Sequence, residues 1–307
     1  MTAMKHSSAS HATSGSAQPV HQRAFAQAQT QIQKPSGNDS ARPRVVLLSL
    51  ASDFGCQIQL SNFPQLLETL GSIDLRYWQL LMTAPLPTDF DLAIIEGAIT
   101  TSEHVELLQQ VRKTACTVIT IGACAGTGGV PALARGKVEE SAQTTYGDAA
   151  GTVAADCLNP HPVSSVITVD YHIPGCPINP EEFSQVLQGA LLGVQERAHR
   201  EPLCGHCKII EAPCFYRMQA MGLSPTDTPC LGLVTQTGCG ALCISRGRPC
   251  TGCRGIAEDA NLDSARRFVR QMGRSVEEFD AALEVYNSVK PDTKLNTKLN
   301  RSKESEQ

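Results

Sequence analysis

Eight of the thirteen cysteines in this 307-residue chain fall between positions 204 and 253. Cys204, Cys207, Cys214, Cys230, Cys239, Cys243, Cys250 and Cys253 follow the spacing C-x2-C-x6-C-x15-C-x8-C-x3-C-x6-C-x2-C. Thiolates in groups of four hold structural zinc or iron–sulfur clusters. The C-x2-C pairs suit both, so spacing alone leaves zinc open. Gly, Pro and small residues flank these cysteines and let backbone N–H groups approach sulfur. The segment also lies between an α/β pattern and a helical tail. Both features favour clusters. The division of the eight between two groups stays open. Cys204, Cys207 and Cys214 take Cys230 as their fourth, or ligands cross between groups as in two-cluster ferredoxins.

A second set is Cys56, Cys124 and Cys176. Each directly follows an expected buried strand, over 45–50, 117–121 and 166–169. Gly55, Gly122, Gly126, Gly128, Gly129 and Gly175 surround them and allow close approach of the chain. Three thiolates leave a four-iron cluster one ligand short. Asp53 stands three residues before Cys56, where a C-x2-C pair would place another Cys. A carboxylate there completes the set as D-x2-C…C…C. On residue type alone, Asp53 reads more simply as a turn-former or N-cap. The glycines of 122–129 also suggest a nucleotide loop, but the Lys-Ser/Thr of a P-loop is missing.

These residues need elements to hold them. Strands are expected over 45–50, 75–80, 90–95, 117–121 and 166–169. Helices are expected over 62–71, 104–113 and 180–196. Alternating strand and helix with near-continuous apolar strands argue for a parallel sheet covered on both faces. Ligands bind such sheets beyond the carboxyl ends of the strands, where Cys56, Cys124, Cys176 and Glu96 lie. Over 201–255 apolar periodicity is lost, and a module held by its cofactor is expected because little core is available. Two helices follow over 261–289, split at Gly273-Arg274-Ser275, with Ser275 and Glu278 as a capping box.

Lys and Arg number 26 against 30 Asp and Glu, a net charge of −4. That leaves no electrostatic footprint for nucleic acid or anionic lipid. No apolar stretch reaches the roughly 18 residues of a membrane span. Residues 1–42 are polar, with one aromatic, Phe25. They carry no apolar core of a signal peptide and no twin arginine, and read as a disordered extension. Residues 290–307 read as a loose tail. A cytoplasmic, reducing setting follows, in which clustered cysteines bind metal rather than pair. Cys116 is expected as a small core residue at a strand start. Cys157 falls in a loop and matches no ligand motif.

Taken jointly, the motifs resemble the small subunit of [NiFe] hydrogenases, within the wider family of the 20 kDa NADH–quinone oxidoreductase subunit. The residues are Asp53-Phe54-Gly55-Cys56, Ile95-Glu96-Gly97, Gly122-Ala123-Cys124-Ala125-Gly126-Thr127-Gly128-Gly129 and Ile173-Pro174-Gly175-Cys176-Pro177. The rear is similar to the delta subunit of cytoplasmic sulfhydrogenases through Cys204-Gly205-His206-Cys207-Lys208, Cys230-Leu231-Gly232-Leu233-Val234-Thr235, Gly238-Cys239-Gly240-Ala241-Leu242-Cys243 and Cys250-Thr251-Gly252-Cys253. The resemblance spans about residues 44–256.

It implies a flavodoxin-like α/β domain over 43–198 that carries a proximal [4Fe–4S] cluster. It implies a small irregular, ferredoxin-like iron–sulfur module over 199–256 with two more clusters, then helices over 257–289. Asp53, Cys56, Cys124 and Cys176 would ligate the first cluster; related cytoplasmic hydrogenases use Asp at this position. The eight rear cysteines would ligate the others. The NiFe centre would lie on a separate large subunit, FAD and NAD(P) on a diaphorase subunit, with a further iron–sulfur subunit beside it. No catalytic residue is expected on this chain, though Glu96 could serve a proton path near the large subunit. His206 could hydrogen-bond a cluster sulfur or simply face water. Two alternatives are a complex-I-like relay and a zinc-held module. The eight-cysteine segment counts against the first, since complex I subunits of this family carry one cluster.

Overall fold

The computed structural model describes residues 42–194 and 199–289. The expected extension, apart from Arg42, and the expected tail over 290–307 lie outside the described residues. Its first part runs β1 (Arg44–Ser49), α1 (Gly55–Ser61), α2 (Leu66–Gly71), β2 (Asp74–Trp78), β3 (Leu92–Glu96), β4 (Ile99–Thr101), α3 (Ser102–Thr114), β5 (Thr117–Ile121), α4 (Gly122–Thr127), α5 (Val138–Tyr146), α6 (Ala150–Ala154), β6 (Cys157–His161), β7 (Tyr171–Ile173) and α7 (Pro180–Leu192). The rear runs α8 (Leu203–Ile209), α9 (Phe215–Ala220), α10 (Leu242–Ser245), α11 (Leu262–Gln271) and α12 (Val276–Asn287).

Five strands pair in parallel in the order β2-β1-β3-β5-β7. Counted along the chain these strands lie 2-1-3-4-5, the flavodoxin-like order. The strands are apolar throughout because both faces are covered. Val46, Leu48, Ala93, Ile95 and Val118 pack with Val105, Leu108 and Val111 of α3 on one face. Val45, Leu47, Ile94, Ile119 and Ile173 pack with Leu60 of α1 and Phe183 and Leu187 of α7 on the other. The residue alternation within β1 and β3 is the period-2 geometry of a strand. As a result, Cys56, Glu96, Cys124 and Cys176 all emerge at the carboxyl edge.

Local chemistry sets several boundaries. Thr101 caps α3, its Oγ1 accepting from the His104 N–H at 3.3 Å. Asn179 caps α7 by accepting from the Glu181 and Glu182 N–H groups at 2.8 and 3.1 Å. That helix stops at Gly193, which takes the left-handed conformation (φ 68°), short of the expected 196. Ser275 caps α12, accepting from the Glu278 N–H at 3.0 Å as the sequence indicates.

Four expectations are corrected. The helix expected over 62–71 begins only at Leu66, as α2, after a stretch containing Pro64, which cannot continue a helix without losing an N–H bond, and α1 over Gly55–Ser61 precedes it where no helix was expected. The last strand is β7, not 166–169. Val166 and Ile167 are apolar because they pack into the core from a loop. Pairing starts only after Asp170, whose N–H donates to the Val118 carbonyl at 3.0 Å while its carboxylate accepts from the Val118 N–H at 2.8 Å and from Arg112 at 2.7 Å. Cys116 is exposed, not core; it sits in the turn before β5, where its N–H donates to the Asp91 carbonyl. Cys157 lies in a strand, since β6 pairs antiparallel with β4.

The rear segment has more core than its composition suggests. Leu203, Phe215, Leu231 and Val234 are buried together with Val269, Phe279 and Leu283 from α11 and α12. Tyr216 meets Phe268 edge-on, ring centroids 5.4 Å apart. The closing helices thus supply the apolar surface that the cysteine-rich loops lack. Phe279 is fully buried at this seam, so Phe279→Ala should destabilise the protein by about 3–5 kcal/mol, read as a lower unfolding midpoint. An unchanged midpoint would show that α12 does not carry the rear core.

Candidate metal centre

A cavity of about 50 Å³ opens at the carboxyl edge of the sheet, lined by Asp53, Cys56, Glu96, Cys124 and Cys176 together with Gly122 and Gly175. The five donors arrive from four strand ends. Asp53 and Cys56 follow β1, Glu96 ends β3, Cys124 lies in α4 after β5, and Cys176 follows β7. Cys56 stands in the first turn of α1, an element that apolar periodicity did not show. Before it, Phe54 adopts a left-handed backbone (φ 59°), costly for a residue with a side chain and a mark of a site that over-determines its backbone.

The Asp53 Oδ1 accepts from the Gly55 N–H at 2.9 Å. The turn-forming role and a place in the cavity therefore coexist in one carboxylate. Gly122 makes room for the neighbouring sulfur: with φ at +85°, a Cβ there would stand 2.6 Å from the Cys56 Sγ. Burial, followed by the repulsion of Glu96, pushes the Cys56 thiol well up from its ordinary value. Burial pushes Cys124 up to about 11, with added repulsion from Cys176 and Asp53. Glu96 is 2 % exposed, and burial raises its pKa. Its Oε1 accepts from the Cys56 N–H at 3.0 Å, and its Oε2 has no hydrogen-bond partner.

Repulsion among the rear cysteines runs both within and between two candidate sets, since Cys207 also opposes Cys239, and Cys230 also opposes Cys243 and Cys250. Cys204, Cys207, Cys214 and Cys230 oppose one another in all six pairs. Burial first and that repulsion second push Cys204 up to about 12. Cys239, Cys243 and Cys253 oppose one another in all three pairs, while Cys250 opposes Cys230 first and Cys253 less. Two backbone amides stitch the sets together. The Cys250 N–H donates to the Cys230 Sγ at 3.3 Å. The Cys176 N–H donates to the Cys253 sulfur, which joins the rear to the front cavity. His206 is half-buried between Cys204 and Cys207.

Comparison with known proteins fixes the family. Residues 54–190 match the family described as NADH ubiquinone oxidoreductase, 20 Kd subunit. The sulfhydrogenase 2 subunit delta of Pyrococcus furiosus is 32 % identical over 71 % of this chain and 88 % of its own length. The chain belongs to the hydrogenase small-subunit family. A polypeptide of the vhu F420-non-reducing hydrogenase from Methanococcus voltae is 29 % identical over 70 % of this chain and 83 % of its own. The NAD-reducing hydrogenase HoxS subunit delta of Cupriavidus necator is 25 % identical over 52 % of this chain and 83 % of its own.

The donor chemistry of this small subunit suits iron–sulfur groups. Thiolates dominate, as such clusters require. Tyr216 buries a hydroxyl that makes no hydrogen bond of ordinary geometry and lies among Cys230, Cys204 and Cys214, where a sulfur acceptor would satisfy it. Reading the sequence missed Tyr216 and Tyr286. The latter comes from α12, and its hydroxyl hydrogen-bonds the Cys176 sulfur. Helical spacing alone marks both as ordinary packing residues, and nothing local shows what they face.

Among the described residues no three His, Cys, Asp or Glu side chains stand where a single ion could take them all. The donors are spread around a volume rather than a point. Gly122→Ala should drive Cys56 out of place and abolish metal loading of the front site while the rear cysteines keep theirs. Iron per chain should fall by about a third if each site takes a cluster of equal size; undiminished iron would show that this cavity is not a metal site.

Proposed function

We propose that this chain is the electron-carrying small subunit of a [NiFe] hydrogenase, with three [4Fe–4S] clusters. Asp53, Cys56, Cys124 and Cys176 hold the front cluster, Cys239, Cys243, Cys250 and Cys253 the middle one, and Cys204, Cys207, Cys214 and Cys230 the far one. When bound, such clusters supply one-electron transfer. The observation that carries the reading is the continuous line of ligands: a front donor touches a middle donor through the Cys176 amide, and a middle donor touches a far donor through the Cys250 amide. A scaffold role would not need that line.

The chain's own residues bind and orient. The glycines let sulfurs and backbone approach, the two amides donate to ligand sulfurs, and Tyr286 donates to Cys176. Asp53 gives a harder donor than thiolate, which shifts the potential of the group it holds. Glu96, buried beside Cys56, is the candidate for a proton path. Asp53 and Cys176 are exposed at the cavity mouth, which suits a surface covered by the large subunit. A diaphorase subunit with FAD and NAD(P) and a further iron–sulfur subunit complete the proposed complex, and the NAD-reducing name of the Cupriavidus necator relative fits the NAD(P) acceptor. A cytoplasmic setting fits the thiol content, and no described helix is long and apolar enough to cross a membrane.

A complex-I-like relay without hydrogen chemistry is the second reading, favoured by the family match over 54–190. A zinc-held module needs four donors around one ion, and the spread of the donors runs against it. Metal analysis of the native complex separates the three. About twelve irons per small subunit, together with nickel, are expected. Iron without nickel would point to the relay, and about two zinc ions in a colourless protein would overturn the cluster reading. Within an iron-loaded complex, Asp53→Cys should keep the iron content and move the redox midpoint of one cluster signal. An unchanged midpoint with an unchanged spectrum would remove Asp53 from the ligand set.

A further inference from the structure

Arg254 directly follows Cys253, and its side chain is 1 % exposed. Its guanidinium makes four hydrogen bonds to three parts of the chain. Nε donates to the Thr237 carbonyl at 2.9 Å. Nη1 donates to the Pro174 carbonyl at 2.8 Å and to the Glu182 Oε2 at 2.7 Å. Nη2 donates to the Glu182 Oε1 at 2.7 Å. Thr237 lies two residues before Cys239, and Pro174 two residues before Cys176. Glu182 stands in the first turn of α7, which opens just after the Cys176 loop. One planar group, borne by the residue next to one middle ligand, therefore grips the loop of a second middle ligand, the loop of a front ligand and the helix that follows that front loop.

We infer that Arg254 is a positioning residue that sets the separation between the front and middle iron–sulfur groups. The inference rests on the ligand assignment proposed above and adds what fixes the distance between two of its sites. A buried ion pair is a weak source of stability, because desolvation offsets most of the attraction. Its geometry is what an apolar contact could not supply. A bidentate guanidinium fixes both distance and plane, which the ammonium of lysine does not. The site is also built around the group: Gly238 has φ at +119°, and a Cβ there would overlap the Arg254 Nη2 and the His199 ring. The consequence falls on the junction where the Cys176 amide meets the Cys253 sulfur. With that grip loosened, the two loops lose their common anchor and the contact lengthens.

The test uses the native complex and two variants. Arg254→Lys keeps a positive charge and loses the fork; Glu182→Gln keeps the bonds to Thr237 and Pro174 and loses the ion pair. Wild type without iron would sink the ligand assignment itself, before either variant is read. With iron present, Arg254→Lys should retain its full iron content. The spin–spin splitting between reduced front and middle groups in electron-spin-resonance spectra should collapse. Hydrogen-driven reduction of a viologen dye should slow on the order of tenfold or more. Glu182→Gln should shift the same splitting by a smaller amount. Unchanged splitting in Arg254→Lys would overturn the inference. If Arg254→Lys loses iron, Glu182→Gln decides: retained iron with altered splitting supports the positioning role. Retained iron with unaltered splitting, or loss of iron in both variants, overturns it.

Discussion

Thiolates gathered away from water oppose one another, and the whole structure is arranged against that opposition. Burial raises the pKa of Cys56, Cys124, Cys176, Cys204, Cys207, Cys230, Cys243, Cys250 and Cys253, and in most of them a neighbouring thiolate or carboxylate raises it further. Left to themselves these groups would stay protonated or move apart. A polycationic metal group removes the penalty by replacing protons. Until it does, something other than the cysteines must hold them in place. Apolar packing does so at a distance, and hydrogen bonds do so nearby.

At a distance, the two buried layers of the parallel sheet fix where β1, β3, β5 and β7 end, so donors separated by 120 residues of chain reach one edge. The rear loops have no such sheet. Their positions follow from α11 and α12, which close a core over Leu203, Phe215 and Leu231. Nearby, backbone amides point at sulfur: Cys176 to Cys253 and Cys250 to Cys230. Such bonds favour the charged form of the acceptor, so they oppose the burial effect at the places where two groups meet. α12 contributes twice, with Phe279 in the core and Tyr286 at Cys176.

Much of this was legible in the sequence, and the boundary of legibility is physical. Strands fully covered on both faces are runs of Val, Ile and Leu, so β1, β3 and β5 are plain, and the cysteine just beyond β1 and just beyond β5 is a local pattern. Val166 and Ile167 imitate such a run from a loop, because apolar character reports burial and not pairing. β4 and β6 are short, and only their antiparallel partnership makes them strands. Cys116 shows the same limit: position beside a buried strand does not bury a side chain. The Arg254–Glu182 pair joins residues 72 apart, and no spacing rule reaches that far. Nor does periodicity separate Tyr216 and Tyr286 from ordinary packing residues, since what distinguishes them is the sulfur they face.

Asp53 shows how a turn and a ligand position can be one solution. A residue at this point must let the chain leave β1 through the left-handed Phe54 and enter α1 with Cys56 in its first turn. The Asp53 carboxylate holds that turn by accepting from Gly55 with Oδ1, a bond that a thiol makes poorly. The same side chain lines the cavity with three thiols. A fourth thiolate would add another soft, easily protonated group to a set already burdened by burial. The Asp53 carboxylate sits at the exposed mouth of the cavity, where water solvates its charge. Placing the Asp53 carboxylate beside Cys176 at the water-facing mouth, with Cys56 buried behind, therefore eases the opposition among the thiols and lets one residue serve both the turn and the proposed ligand set.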